Sequence, residues 1–148
     1  PACYIRPVIC DTNLVVSWRT RPRGFVALMG LYESNYLRLA HLAGRPRDLV
    51  GVLCSAAAGD CPLQLTVLER APYTSDLRLT YLLRRDDSPT GPWQRVPDLR
   101  LKAYHDAGLL EVCPDAQVTE RELHQCWSRN LMLNKWLEYC ADRGHRFG

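Results

Sequence analysis

The fold of this chain is decided by residues 63–84, which read LQLTVLERAPYTSDLRLTYLLR. Apolar and polar residues alternate in both halves of this stretch, which is the pattern of half-buried β-strands. Pro72 interrupts the alternation, so the stretch predicts two strands joined by a hairpin turn near residues 70–74. Because parallel neighbours need a long crossover, a connection this short predicts antiparallel pairing.

Three further strands are predicted around this hairpin. Residues 49–55 form an apolar run before it, and residues 99–104 alternate after the proline-rich loop of residues 86–97. A tight link then leads to a short last strand at residues 109–113. The strands have an apolar side and a polar side, as expected when one face of an antiparallel sheet is solvated. The sequence therefore predicts a meander of about five strands.

Two helices are predicted at the two ends of this region. Residues 25–43 carry apolar side chains at steps of three and four, and Gly44 provides a helix stop. A second helix is predicted from about residue 120 to residue 142, where Thr119 and Glu122 have the spacing of a capping box. The predicted fold class is therefore α+β, an antiparallel meander with N- and C-terminal helices packed on one face.

The composition is typical of a single globular domain. The chain has 148 residues, of which 47% are hydrophobic and 24% charged, and this balance excludes a disordered or collagen-like chain. A formal net charge of +3 is too small for a dedicated nucleic-acid-binding protein. No apolar run approaches the roughly 20 residues of a transmembrane helix, so no membrane partner is predicted. Residues 1–23 lack periodicity and are predicted to be an arm, whereas residues 24–148 are predicted to be one α+β domain.

The cysteines indicate a reducing, cytoplasmic location. There are seven of them, and an odd number argues against a fully paired disulfide framework. The start of the chain contains no apolar segment long enough for a secretion signal. No two cysteines have the two-residue gap of a zinc knuckle, and no phosphate-binding loop or nucleophile motif occurs. We therefore predict no metal and no cofactor.

The parity of the strands predicts a polar cluster at one end of the sheet. The odd positions of the second strand are apolar, so Glu69 is expected to continue the inner face, and His105 is expected to do so in the fourth strand. These two strands run in the same direction in a meander, so both side chains are expected at the same edge. Tyr73 lies in the turn at that edge. The candidate cluster consists of Glu69, Tyr73, Thr74, His105, Asp106 and Glu111.

Two interpretations of this cluster are open. A carboxylate beside a histidine can perform general acid–base catalysis, because the histidine titrates near neutral pH and the carboxylate orients it. The interpretation that we favour is a satisfied polar network, in which the carboxylate and a tyrosine hydroxyl bond to a partly buried imidazole. The pattern alone therefore assigns no catalytic residue.

A basic face is predicted on the other side of the sheet. Cations interleaved with an aromatic ring could meet RNA or an acidic partner. We favour a solvated sheet face, which leaves nucleic acid as the less favoured partner. The candidate residues of this basic sheet face are Arg78, Arg84, Arg100, Lys102 and Tyr104.

Several short motifs follow one another in a distinctive order. They are LYESNYLRL at residues 31–39, VLE and YT within residues 67–74, YHDA at residues 104–107, EV at residues 111–112, LHQ at residues 123–125 and WLEYC at residues 136–140. Over residues 25–144 this order resembles the YqiB-like bacterial proteins, the family of domain of unknown function 1249. The resemblance implies a small, soluble, bacterial cytoplasmic protein with no assigned activity. The recurring motifs of that family include Glu69, Tyr73 and His105.

Two segments depart from the pattern of that family. Residues 114–122 lack its Arg-Tyr-Asp-Tyr-Pro-Asn-like segment, and residues 126–129 read CWSR where the family commonly has Asp-Glu-Lys. Residues 1–22 match nothing in the family pattern. The departures imply that a function depending on those groups is absent or altered in this chain.

The function that we favour is a non-enzymatic binding or accessory module. Its partner is expected to be a small acidic ligand or a macromolecule, held by the polar cluster or by the basic sheet face. One alternative is a small hydrolase or transferase that uses His105 with Glu69 or Asp106 as an acid–base pair. The other alternative is weak RNA binding by the basic sheet face, with an affinity that falls steeply with salt.

Overall fold

The computed structural model describes residues 24–84, 90–113 and 122–148. Within these residues the chain forms two helices, a short 3₁₀ turn and five strands. In chain order they are α1 (Phe25–Ala43), the 3₁₀ turn (Pro46–Asp48), β1 (Val52–Ser55), β2 (Leu63–Arg70), β3 (Thr74–Leu83), β4 (Gln94–Tyr104), β5 (Leu109–Val112) and α2 (Glu122–Asp142). The predicted capping residue Thr119 and the predicted arm of residues 1–23 lie outside this description. No helix within the described residues is long and apolar enough to cross a membrane.

The five strands form one sheet in the order β1-β2-β3-β4-β5, and every neighbouring pair is antiparallel. The predicted α+β meander is therefore confirmed. β1 begins at Val52 rather than at residue 49, because the 3₁₀ turn Pro46–Asp48 and the left-handed Gly51 precede it. Gly51 has a φ of 71°, a backbone conformation that other residues adopt only with strain.

The two helices pack against one face of the sheet and enclose a leucine-rich core. β3 contributes Leu77 and Leu79, which are fully buried between leucines of β2 and β4. Leu133 and Leu137 of α2 close the core from the helix side. Burying one such side chain stabilises the fold by roughly 1.5–3 kcal/mol. The apolar positions of the alternating pattern thus mark the face that the helices cover.

Buried asparagines join the two helices to the edge of the sheet. Asn134 donates a hydrogen bond to the side-chain oxygen of Asn35 at 3.0 Å, which ties α2 to α1. The side-chain oxygen of Asn130 accepts the main-chain N–H of Val112 at 2.9 Å, which ties α2 to β5. Because buried polar groups cost stability unless they are paired, these bonds fix how the helices sit on the sheet.

The five cysteines of the described residues are free thiols. Cys54 is exposed, whereas Cys140 is buried in the core between α2 and the sheet. Burial raises the pKa of the Cys140 thiol to about 11. Cys140 therefore stays protonated near neutral pH and packs as a small apolar residue.

Candidate functional site

A β-bulge near the end of β2 decides which side chains reach the helix-facing side of the sheet. The ladder between β2 and β3 is regular up to Val67, which pairs with Leu77. The next pair is Glu69 with Asp76, so Leu68 is an additional residue without a partner in β3. Successive side chains of a regular strand point to opposite faces of the sheet. After an extra residue, each side chain therefore lies on the face opposite to the one that simple alternation predicts.

Glu69 faces away from the helices as a result. Paired residues in an antiparallel ladder have side chains on the same face, and the partner of Glu69 is Asp76 on the outer face. The prediction that Glu69 continues the inner face is wrong, because counting by parity omits the bulge at Leu68. Glu69 instead lines an open concavity of about 650 Å³ on the outer face. The other residues lining this concavity are Leu68, Asp76, Arg78, Asp98 and Arg100.

Arg70 takes the inner position that was predicted for Glu69. It pairs with Ser75, which is only 3% exposed and lies on the helix-facing side. Nη2 of Arg70 donates a hydrogen bond to the main-chain oxygen of Arg47 in the 3₁₀ turn, at 3.1 Å. Arg70 is therefore held against the main chain of Arg47 at this end of the sheet.

His105 lies near this arginine pair, directly after β4. Its Nδ1 is 3.0 Å from the hydroxyl of Tyr36 on α1, and its Nε2 is 2.8 Å from the hydroxyl of Ser75 on β3. Its main-chain N–H donates to the carbonyl of Tyr73 at 2.8 Å, which attaches it to the turn between β2 and β3. Among the described residues, no carboxylate lies within hydrogen-bond distance of the ring. Hydroxyl groups engage both ring nitrogens instead.

The charges around His105 disfavour its protonated form. Burial lowers the pKa of the imidazole below its usual value, and Arg47 and Arg70 lower the pKa further. Asp106 and Asp48 act in the opposite direction without reversing the shift. The ring is therefore neutral at pH 7. We call the following residues the His105 site: Tyr36, Arg47, Arg70, Ser75 and His105.

The other residues of the predicted cluster lie around this site. Tyr73 is 63% exposed, so its side chain is not beneath the helices as predicted, because it projects from the hairpin turn. Thr74 pairs with Tyr104 at the start of β3, and Asp106 is exposed in the turn before β5. His105 is therefore the member of the predicted cluster that supplies a side chain to the His105 site.

Glu111 takes part in a separate contact on the edge strand β5. Its carboxylate accepts a hydrogen bond from the hydroxyl of Tyr104 on β4 at 2.8 Å. Burial raises the pKa of Tyr104 and of Tyr32 on α1, and the Glu111 carboxylate raises both further. The two phenols therefore stay protonated, and Glu111 fastens β4 to β5.

The predicted basic sheet face carries carboxylates as well as cations. Arg78 forms a bidentate pair with Asp98, and this arginine lowers the pKa of the Asp98 carboxyl. Nζ of Lys102 is 3.7 Å from a carboxylate oxygen of Asp76. Two of the predicted cations therefore have a carboxylate neighbour, which reduces the positive charge that the face presents.

The remaining predicted members of this face have other neighbours. The guanidinium of Arg84 lies 4.1 Å from the ring centre of Trp93, a distance at which a cation is attracted to an aromatic face. Arg100 lines the outer concavity, and Tyr104 donates to Glu111. The outer face is thus a mosaic of charged, aromatic and hydroxyl groups.

A second polar network lies at the opposite end of β3 and has no signal in the strand pattern. Nδ1 of His145 is 3.1 Å from the Ser55 hydroxyl, and Nε2 is 2.9 Å from the Asp60 carboxylate. Tyr81 donates to the same carboxylate oxygen at 2.9 Å. Burial raises the pKa of the Asp60 carboxyl, but the hydrogen bonds that it accepts outweigh burial and lower the pKa overall.

This second network is closed to solvent. Its residue types are those of a serine–histidine–aspartate triad, but His145 is 1% exposed and Ser55 is also buried, so a substrate cannot reach the hydroxyl. The Ser55 oxygen also accepts the main-chain N–H of Arg146 at 2.8 Å. The network therefore attaches the segment after α2 to the sheet. We call Ser55, Asp60, Tyr81 and His145 the His145 network.

The described residues offer no site for a metal ion. No group of three or more histidine, cysteine, aspartate or glutamate side chains among them is arranged to hold one. The ring nitrogens of both histidines are engaged by protein groups, as the hydrogen bonds above show.

Comparison with known proteins identifies a family. A sequence profile described as "Protein of unknown function (DUF1249)" matches residues 38–146. This chain belongs to the DUF1249 family. It is 28% identical over 132 residues to the "Uncharacterized protein YqiB" of Escherichia coli K12, with 81% of this chain and 90% of that protein covered. The proteins of the same name from Escherichia coli O6:H1 and O157:H7 match to the same extent. No solved structure matches this chain.

The DUF1249 match confirms the resemblance of the short motifs and contains most of the His105 site. The matched residues 38–146 include Arg47, Arg70, Ser75 and His105, whereas Tyr36 lies just before them. The names of these relatives state no activity.

Two partners of His105 are not among the predicted site residues. Ser75 lies two residues before the buried Leu77, so the parity applied to the other strands places it on the inner face at the same edge. Tyr36 belongs to the stripe of α1 that was predicted to be core, and nothing in the local sequence marks its hydroxyl as a partner of a histidine. Ser75 could therefore have been predicted from the sequence, whereas Tyr36 could not.

Proposed function

We propose that this DUF1249 protein is a non-enzymatic binding module that holds a small acidic ligand at the His105 site. The observation that supports this most strongly is the bulge at Leu68. With the bulge, the guanidinium of Arg70 rather than the carboxylate of Glu69 lies on the helix-facing side of the sheet. The surroundings of His105 are therefore cationic, and their complement is an anion.

The positions of the arginines support joint binding of an anion. Arg47 and Arg70 are both exposed, and the bond from Arg70 to the Arg47 carbonyl holds the Arg70 guanidinium beside the 3₁₀ turn that carries Arg47. This bond uses one of the five N–H donors that a guanidinium carries. Hydrogen bonds from arginine to carboxylate or phosphate are roughly twice as strong as neutral ones. Arg45 adds a third cation near Tyr36, partly offset by Asp48 at 3.5 Å.

The hydrolase or transferase alternative has less support. General acid–base catalysis uses a carboxylate that orients the imidazole, and Glu69 lies on the other face of the sheet. Asp106 is exposed, and its effect on the pKa of His105 is smaller than that of either Arg47 or Arg70. The hydroxyl on Nε2 belongs to Ser75, which is only 3% exposed, so a substrate has little access to the group that the ring would activate.

RNA binding by the outer face also has less support. Binding of a phosphate backbone depends on cations that neutralise phosphates and release counterions. Arg78 and Lys102 each lie beside a carboxylate, so the outer face offers little excess positive charge. We therefore favour the His105 site over the outer face as the binding site.

Titration with sulfate, followed by amide NMR spectra, tests the proposal. Sulfate is expected to shift the resonances around Arg47, Arg70 and His105. Arg70→Gln should weaken the affinity about tenfold, because a hydrogen bond to a charged group is worth about 1.5–3 kcal/mol and about 1.4 kcal/mol is a factor of ten. The matched control is Arg100→Gln, which removes the same charge from the opposite face and should leave the affinity unchanged.

Three results would contradict the proposal. Equal weakening by Arg70→Gln and Arg100→Gln would indicate general charge attraction rather than a site. Saturating sulfate without any shift around His105 would leave no anion site there. Finally, a short RNA that shifts the resonances of Arg100 and Lys102, and no longer binds after reversal of both charges, would move the function to the outer face.

A further inference from the structure

The two hydroxyl groups that flank His105 constrain where protons can lie in the site. The Tyr36 and Ser75 hydroxyls contact different ring nitrogens, at 3.0 Å and 2.8 Å. A neutral imidazole has one N–H donor and one bare nitrogen. One of the two hydroxyls must therefore donate its hydrogen to the bare nitrogen, and that hydrogen is not available to a ligand.

Protonation of the ring changes this arrangement. Both nitrogens of an imidazolium donate, so the hydroxyls of Tyr36 and Ser75 both accept and each has its own hydrogen to give elsewhere. Ser75 is buried, whereas Tyr36 is half-buried. Burial raises the pKa of Tyr36, whereas the charges of Arg47 and Arg45 lower it. In the tautomer whose Nδ1 is bare, Tyr36 is the hydroxyl that donates to the ring, and protonation of His105 frees its hydrogen for a ligand.

We infer that the His105 site binds a tetrahedral oxyanion of the sulfate or phosphate type together with one proton, which His105 takes up from solvent. The inference rests on the proposed function, because the arginines must hold the anion. The proton adds to the bare ring nitrogen, and no bond of the ligand is broken. In the bound state the anion is held by Arg47, Arg70 and the Tyr36 hydroxyl.

The charges around the ring explain why the anion and the proton bind together. Without an anion, Arg47 and Arg70 disfavour a third positive charge. A dianion between them offsets this repulsion, so the protonated ring becomes favourable. Asp48 and Asp106 favour protonation with or without the anion, so they move the midpoint of the titration and leave the linkage in place. The titratable and charged groups facing the ring or its tyrosine partner are Tyr36 on α1, Arg45, Arg47 and Asp48 at the 3₁₀ turn, Arg70 on β2, and Asp106 after β4.

The separate origins of the donors favour a tetrahedral anion over a single carboxylate. The donors come from three separate segments, namely α1, the 3₁₀ turn and β2. A carboxylate is satisfied by one guanidinium, which meets both of its oxygens in a plane. Sulfate and phosphate present oxygens in several directions, and can therefore use the Tyr36 hydroxyl in addition to Arg47 and Arg70.

Sulfate is the most direct probe because it stays a dianion throughout the pH range in which histidine titrates. Any pH dependence of its affinity then belongs to the protein. Saturation with sulfate is expected to raise the pKa of His105, followed by its imidazole resonances, by about one unit. By linkage, sulfate should bind about tenfold more tightly at a pH below the His105 pKa of the free protein than at about pH 8.

Two variants separate proton uptake from simple charge attraction. His105→Gln keeps an amide that can bond to the hydroxyls but cannot take up a proton, so its sulfate affinity should not vary with pH. Tyr36→Phe keeps the ring that packs in α1 and removes the hydroxyl donor. It should therefore weaken sulfate binding several-fold at acidic pH and change it little at basic pH. Amide spectra of both variants check that the fold is retained.

The outcomes distinguish this inference from the proposed function. If the affinity for sulfate is constant with pH and Arg70→Gln still weakens it, proton uptake is overturned and the anion site stands. If the pH dependence persists in His105→Gln, proton uptake at His105 is overturned as well. If sulfate does not bind at any pH, both the inference and the proposed function fail.

A second comparison identifies what carries the oxyanion. Glycerol phosphate and a phosphoserine peptide present the same group on a small metabolite and on a polypeptide. Tighter binding of one of these than of inorganic phosphate, lost in Arg70→Gln, assigns the site to that carrier. Equal binding of all three supports a site for the free anion.

Discussion

His105 and His145 lie against opposite ends of the same row of β3 side chains. Ser75 begins this inner row, and its hydroxyl contacts His105. Tyr81 ends the row, and it shares the carboxylate of Asp60 with His145. Each histidine has a serine hydroxyl on one ring nitrogen. The other nitrogen faces a tyrosine hydroxyl in the case of His105 and a carboxylate in the case of His145.

This difference in the second partner distinguishes the His145 network, which is structural, from the His105 site, which is a candidate binding site. At His145 a carboxylate with a lowered pKa orients a buried ring, and the network holds the segment after α2 against β1. At His105 two arginines lie near the ring, which is only partly buried. His145 is closed to solvent and therefore out of reach of a ligand, whereas the partly exposed ring of His105 lies between two hydroxyls that can change from donor to acceptor.

The largest expected effect is on stability, from removal of the buried histidine. His145→Ala should lower the free energy of unfolding by roughly 3 kcal/mol, because it leaves a cavity and unpairs the buried groups around it. His105→Ala should cost only about 1 kcal/mol, because the ring is partly exposed and water can enter the space that it leaves and bond to the hydroxyls. Urea unfolding followed by tryptophan fluorescence measures both values. Equal losses would mean that the two sites are equally structural.

Matched serine substitutions sharpen the same comparison. Ser55→Ala removes a hydroxyl that contacts His145 and accepts the main-chain N–H of Arg146, whereas Ser75→Ala removes a contact to His105. We expect losses of about 2 and about 1 kcal/mol, since each unpaired buried group costs about 1 kcal/mol or more. A larger loss for Ser75→Ala would mean that the His105 site contributes more to stability than the His145 network does.

The two sites should lose stability in different pH ranges. The pKa of folded His105 lies below its usual value of 6.5, so its contribution is complete above pH 6.5 and is lost as the pH falls through the folded pKa. The pKa of folded Asp60 lies below its usual value of 3.8, so its contribution is lost only in stronger acid. The unfolding free energy should therefore be measured against pH for two variants. His105→Gln should lack the decrease below pH 6.5, and Asp60→Asn should lack the decrease in stronger acid. A slope just below pH 6.5 that survives in His105→Gln would belong to another group.

Deletion of Leu68 should have the smallest effect and tests the bulge itself. Without this residue, Val67, Glu69 and Arg70 keep their present faces, because the ladder simply becomes regular. Sulfate affinity should be unchanged, and the unfolding free energy should change by less than about 1 kcal/mol, since Leu68 is exposed. If β2 had no bulge, the same deletion would turn Arg70 inward for the first time and create anion binding.

Much of the fold and one corner of the candidate site follow from local patterns. Alternation along β2, β3 and β4 predicts the inner leucines, and the short connections predict the antiparallel order. The same parity places His105 at the correct edge of the sheet. It fails for Glu69 because two adjacent apolar residues, Val67 and Leu68, do not show which one is extra. The pairing within the sheet resolves this. The main-chain N–H of Val67 bonds to the carbonyl of Gly51 on one side, and on the other side Val67 pairs with Leu77 of β3. That pair is the last one before the register between β2 and β3 shifts.

By itself the sequence determined the fold class, the face of each strand up to the bulge, and the family to which the chain belongs. Only the tertiary structure decided that an arginine, rather than a glutamate, lies beside His105. It also decided the partners of the ring, since Ser75 and Tyr36 are 30 and 69 positions away in the chain. The physical reason is that alternation is a local property counted residue by residue. The position of a bulge depends instead on hydrogen bonds to two neighbouring strands, and these form only when the sheet assembles.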